Sequence, residues 1–278
     1  MTSPLNLPSP PDAAPRKSGA AAESVPTVSP LALSLFERYS ERYLARHFHS
    51  VALSRARRPD LTAARGRPLL IYLNHPSWWD PLICLQIASR LLPERRHYAP
   101  IAAEALDSYR FFGRLGFFAV DADTAGGGRR FLEIAGGILE QPDAALWITS
   151  SGSFADPRQR PVRMQGGLGH LASRLRRGVL IPLALEYPFW SERKPEALAR
   201  FGEEVAAEDA GMRPHDWSEV LAAHLEGAQD ALAAEAMTRD PALFETLLGG
   251  SGDRAAAGGV HGLWRRLRSL AARRRLSG

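Results

Sequence analysis

Apolar residues in this chain follow two periods. Runs with almost no polar interruption lie at 69–73, 98–102, 117–120, 145–149 and 179–186. Such runs fit strands buried on both faces of a sheet. Between them, apolar positions recur at helical spacing over 81–92, 109–115, 129–141 and 168–175, which predicts helices. A further strand is predicted over 199–205, and a long Ala-rich helix over 216–238 with Asp216 as its N-cap. The alternation predicts an α/β fold: a mixed, mostly parallel sheet with helices on both faces.

The ends differ in texture. Residues 1–30 hold seven prolines, five serines and no aromatic, which reads as a disordered leader without the apolar stretch of a signal peptide. Over 33–51, Leu35, Phe36, Tyr39, Tyr43, Leu44, Phe48 and Val51 recur at helical spacing among arginines and glutamates. This predicts an N-terminal amphipathic helix, which either packs on the domain or lies on a membrane surface. The domain then spans 31–248. Residues 249–278 begin as a Gly/Ala linker and continue as a basic amphipathic tail, with Leu263, Trp264, Leu267 and Leu270 on one face.

Charge adds a location. The 278 residues carry a formal +5, and 33 of the 35 basic residues are arginine. Residues 261–278 contribute six arginines and no acid, so the rest of the chain is at −1. Arginines set beside Leu and Trp on a helix point to an anionic membrane surface rather than to nucleic acid; the alternatives are a solvated tail or a helix docked on its own domain. Together with the missing signal peptide, this predicts a cytoplasmic protein, peripheral on the inner face of the cell membrane. Cys84 is the sole cysteine, which excludes an intramolecular disulfide and a multi-cysteine metal site.

The chemistry concentrates in Asn74-His75-Pro76-Ser77-Trp78-Trp79-Asp80-Pro81, directly after the strand predicted at 69–73. Asp followed by Pro is a helix start, so Asp80 reads as an N-cap. The same spacing lets the loop fold back and bring Asp80 to one nitrogen of His75, leaving the other to take a proton from a bound hydroxyl. Both readings stand on the sequence. No serine nucleophile is needed if the hydroxyl belongs to the substrate. No metal is expected, because the pair lacks a third ligand at usable spacing. Trp78 and Trp79 either wall an acyl channel or pack.

Residues 74–80 match Asn-His-x-Ser-x-x-Asp, and the segment resembles the first motif of the glycerolipid and lysophospholipid acyltransferases. Three further blocks follow in order: Glu104-Ala105-Leu106 with 113–121, then 147–153, then 179–183 with Pro182 inside the apolar run. The resemblance covers residues 65–205. It implies His75 as the base that activates the acceptor hydroxyl and Asp80 as its support. It also implies an acyl-CoA or acyl-ACP thioester as co-substrate, a lipid acceptor such as a lysophospholipid, and no other cofactor. Asn74, Ser77, Glu104, Gly116, Ser151 and Gly152 fall on the motif positions and are expected to bind acceptor or donor.

The third block departs from the family pattern. Ser151 stands where an acceptor-binding glutamate is usual, while Gly152 is retained. That departure leaves two alternatives: O-acylation of a non-glycerol lipid or glycolipid hydroxyl, or a non-catalytic lipid-binding member of the fold. Arg158, Arg160 and Arg163 follow the block and are either phosphate contacts or a solvated charged loop.

Overall fold

The computed structural model describes residues 25–61, 64–121, 124–207 and 211–249. The first 24 residues of the leader and the amphipathic tail lie outside the described residues. The elements run α1 (Pro30–His47), β1 (Ser50–Ser54), β2 (Leu69–Leu73), α2 (Asp80–Leu91), β3 (Arg96–Ala102), α3 (Ala103–Ser108) and a 3-10 segment (Arg110–Leu115). Then come β4 (Phe117–Val120), α4 (Ala125–Leu139), β5 (Ala144–Thr149), α5 (Gly166–Arg174), β6 (Val179–Glu186), β7 (Glu196–Phe201) and β8 (Val205–Ala206). The chain continues through α6 (Pro214–Thr238), a 3-10 turn (Pro241–Leu243) and β9 (Phe244–Gly249).

The strands form one mixed sheet in the order β4-β3-β5-β2-β6-β7-β1-β9, with β8 pairing to β6. β4, β3, β5, β2 and β6 are mutually parallel. β7 turns antiparallel to β6, β1 runs parallel to β7, and β9 closes the edge antiparallel to β1. Every residue of β2 is buried, as a central strand covered on both faces requires. Leu69, Ile71 and Leu73 face the core shared with α1 and α2. Leu70 and Tyr72 face the core formed with α4, α5 and α6. Proline inside β6 is tolerated because its missing N–H costs nothing there. The carbonyl of Pro182 accepts from Gly202 N, so its nitrogen points at the gap between β8, paired at Val179 and Leu180, and β7, paired from Leu183.

Several expectations need correction. The N-terminal helix stops at His47, where Phe48 becomes extended, and Val51 belongs to a strand. Neither β1 nor β9 stands out by periodicity, because each is fixed by its partners. Gly249 ends β9 and does not open a linker. The end of the leader is structural: Val25 and Val28 pack on the core, Ser29 caps α1, and Ser29 N donates to Arg114 O at 2.8 Å. The predicted strand at 199–205 divides into the end of β7 and the start of β8. Asp216 is not an N-cap. Arg213 occupies that position, and the Asp216 carboxylate pairs with the Arg213 guanidinium at 2.9 Å.

Candidate active site

The site starts where β2 leaves the sheet. Asn74 is buried, and its amide bonds both ways to the β6 backbone: Nδ2 donates to Leu185 O at 2.9 Å and Oδ1 accepts from Leu185 N at 2.8 Å. This clamp fixes the chain one residue before His75. His75 O accepts from Ala155 N at 3.0 Å, which ties the same loop to the segment after β5.

His75 Nδ1 and Asp80 Oδ2 are 2.6 Å apart. Nδ1–H donates to the carboxylate, which leaves the Nε2 lone pair available as an acceptor. The imidazole is 18% exposed and Asp80 is 1% exposed, so the pair is open on the histidine side alone. Asp80 Oδ2 also accepts from Ser77 N at 3.2 Å, and Oδ1 accepts from Tyr187 Oη at 2.5 Å. The carboxylate therefore does not cap α2. The helix starts at Asp80 with Pro81 in its first turn and no side-chain cap bond, and the acid turns back onto the loop. Burial, together with Asp80's charge and hydrogen bond, holds the Tyr187 phenol well above its usual range. Burial and the same charge push the Cys84 thiol up, so both remain protonated donors near neutral pH.

Beside the pair lies a cavity of about 300 Å³, walled by Leu73, Trp78, Pro81, Leu85, Ala99 and Phe112 among other apolar side chains. His97 and Trp147 contribute polar atoms, and these satisfy each other. Trp147 Nε1 donates to His97 Nδ1 at 3.1 Å, and His97 Nε2 faces Leu92 O at 3.0 Å. Burial lowers the His97 pKa to about 4, which keeps the ring neutral. The two tryptophans divide the roles left open by the sequence. Trp79 packs edge-on to Phe48 at 4.9 Å, whereas Trp78 lines the cavity and is 53% exposed. Phe154, exposed, lies 4.4 Å from the His75 ring.

The segment after β5 forms a tight turn. Ser151 is buried, its hydroxyl donates to Ser153 O, and Gln165 Nε2 donates to Ser151 O at 2.9 Å. Gly152 sits at φ +65°, a left-handed conformation that favours glycine. Ser151 thus closes a turn and offers no charge. Ser77 uses its hydroxyl locally, accepting from Trp79 N at 3.4 Å. Glu104 is exposed in the first turn of α3, at the same strand edge as His75. Gly116, at φ +94°, has a Cβ position 2.2 Å from His97 O. It precedes β4 at the opposite strand end from His75, where turn geometry explains it.

The three arginines separate. Arg158 makes a bidentate pair with Asp156 at 2.9 and 2.7 Å, and Arg160 reaches Asp230 of α6 at 2.5 Å. Arg163 is exposed. The residues missed by sequence reasoning are Tyr187 and Phe154, together with the Asn74–Leu185 clamp. Tyr187 follows the fourth block by a few residues, but its approach to Asp80 needs the pairing of β2 with β6.

No family model matches the chain, and no curated protein matches it. Among solved structures it is similar to the 1-acyl-sn-glycerophosphate (LPA) acyltransferase PlsC from Thermotoga maritima, with a TM-score of 0.51 and 13% identity. The similarity covers 73% of this chain and 80% of that one, and it establishes the shared α/β fold.

Proposed function

We propose that this chain is a lipid acyltransferase that moves a fatty acyl group from an acyl-CoA or acyl-ACP thioester to a hydroxyl of a lysophospholipid or related lipid. The observation that carries the reading is the His75–Asp80 pair, 2.6 Å apart, with Nε2 free and an apolar cavity alongside. His75 Nε2 takes the proton of the acceptor hydroxyl as its oxygen attacks the thioester carbonyl. The O–C bond forms, the C–S bond breaks, and the leaving thiolate takes that proton back from His75. Asp80 fixes the imidazole tautomer and stabilises the transient imidazolium, while Tyr187 and Ser77 N hold the carboxylate in place. The apolar cavity takes the acyl chain, and the Gly152 turn shapes the acceptor region.

The working place in this reading is a membrane surface. Leu31, Leu35 and Tyr39 project from one stripe of α1 and are exposed, as are Trp78 and Phe111, with Arg38, Arg42 and Arg46 on the same helix. Such a face suits an interfacial helix on anionic lipid. No helix among the described residues is long and apolar enough to cross a membrane.

The test is transfer of labelled acyl groups from acyl-CoA and acyl-ACP to a panel of lysolipids by wild type and His75→Ala. Loss of the general base lowers the rate roughly a thousandfold, with an unchanged circular dichroism spectrum. Wild-type rates in a folded His75→Ala protein refute the mechanism. Lipid binding without thioester consumption under either donor would instead establish the non-catalytic alternative.

A further inference from the structure

Phe154 is an apolar ring that packing does not account for. It is 63% exposed and belongs to none of the hydrophobic cores, so burial contributes little to holding it there. It does not line the apolar cavity beside the site. Among the described residues its one ring contact is the His75 imidazole, with centroids 4.4 Å apart and planes tilted by 42°.

The backbone fixes this contact on both sides. Ser150 N donates to Leu73 O at 2.7 Å, and Ala155 N donates to His75 O at 3.0 Å. Residues 150–155 are therefore pinned to the exit of β2 before and after the ring. Between the pins lies the turn at Gly152, with φ +65°, where Ser151 Oγ donates to Ser153 O and Gln165 Nε2 donates to Ser151 O at 2.9 Å. The third block, which lacks an acid, thus serves another end: its turn presents Phe154 to the imidazole.

A general base needs that support. Asp80 holds the imidazole through Nδ1. One hydrogen bond at one corner leaves the ring free to rock about it, which carries Nε2 off the line to a bound hydroxyl. A misplacement of about 1 Å costs up to about a hundredfold in rate. An aromatic ring packed on the imidazole blocks that motion. It also meets the positive charge that His75 gains with the proton. An aromatic face attracts a cation within about 6 Å of its centroid, which at an exposed site is worth a factor of about two to five.

We propose that Phe154 is a positioning residue: it holds the plane of the His75 imidazole and stabilises the imidazolium formed as the acceptor hydroxyl gives up its proton. The inference rests on the acyl-transfer reading above.

The test compares two variants of the full-length protein. Phe154→Leu keeps an apolar side chain without a π face, and Phe154→Tyr keeps the π face. With labelled acyl-CoA and acyl-ACP as donors, kcat falls about fivefold in Phe154→Leu, while the acceptor KM and the melting temperature stay at wild-type values. Phe154→Tyr recovers most of the loss. A second readout needs no turnover: the proton that His75 Nδ1 shares with Asp80 is followed by NMR. Its exchange with water is faster in Phe154→Leu than in wild type, and close to wild type in Phe154→Tyr. Wild-type kcat in Phe154→Leu overturns the proposal, as does an equal loss in both variants. A loss carried by KM makes Phe154 an acceptor contact, and a loss with a lowered melting temperature makes it a packing residue; either result overturns the positioning role. If wild type transfers no acyl group from either donor, the acyltransferase reading fails and proton exchange decides. Faster exchange in Phe154→Leu then keeps the positioning role, and equal exchange overturns it.

Discussion

Replacing Tyr187 by Phe removes one oxygen from the centre of the site and little else. That oxygen donates to Asp80 Oδ1 at 2.5 Å, and the other carboxylate oxygen is engaged by His75 and Ser77 N. Asp80 is 1% exposed, so water does not replace the lost donor. A hydrogen bond to a charged group contributes about 1.5–3 kcal/mol net, and a neutral one about 0.5–1.5. Tyr187→Phe is therefore expected to cost about 2–3 kcal/mol beside Asp80, and about 1 kcal/mol in an Asp80→Asn background. Urea unfolding of wild type, both single variants and the double variant at neutral pH completes the cycle, and the coupling should exceed about 1 kcal/mol. The kcat for acyl transfer should fall about tenfold in Tyr187→Phe with KM little changed, because the carboxylate that orients His75 becomes free to turn. Additivity within about 0.5 kcal/mol, or a fully active Tyr187→Phe enzyme, would refute the idea that Tyr187 holds Asp80.

Two further predictions concern stability. His97 is an unprotonated imidazole inside the fold, its pKa lowered from 6.5 to about 4 by burial. The unfolded chain binds this proton first, so the stabilisation is full above about pH 6.5 and is lost as the pH falls toward 4, by at most about 3 kcal/mol. Urea titrations of wild type and His97→Gln between pH 7 and 4 check this; parallel curves would show that His97 does not titrate in that window. At the crossing of α5 and α6, a Cβ on Gly169 would lie 2.1 Å from Pro214 O and 2.3 Å from Ser218 Oγ. Gly169→Ala should therefore cost about 2 kcal/mol or more, and a thermal melt within a degree of wild type would show that the helices shift at no cost.

The local parts of this protein are legible in its sequence. The strands at β2, β4 and β6 follow from unbroken apolar runs, and their covering helices from the 3.6-residue period, because both patterns are set by neighbours along the chain. The approach of Asp80 to His75 is legible, as one of two readings, for the same reason: four residues separate the partners, and a loop of that length can close on itself. The end of the predicted leader shows the limit. Val25 and Val28 look unremarkable among prolines, and become core only against side chains on β3, β4 and α4.

What the chain alone could not decide is whatever depends on partners far along it. β1 and β9 become strands by pairing with residues about 145 and 190 positions away. The sequence left Asp80 between helix cap and catalytic support. The structure turns its carboxylate to His75 and to Tyr187, 107 residues away, because β6 lies beside β2. The arginines after the third block read from the sequence as phosphate contacts or solvent-facing charges. Folding pairs Arg158 with Asp156 and Arg160 with Asp230. Sequence thus determined the locally patterned elements and brought Asp80 within reach of His75. Tertiary structure decided which charges are paired and with what, since pairing is a matter of distance in space, and a residue's neighbours in space are set by the packing of the sheet.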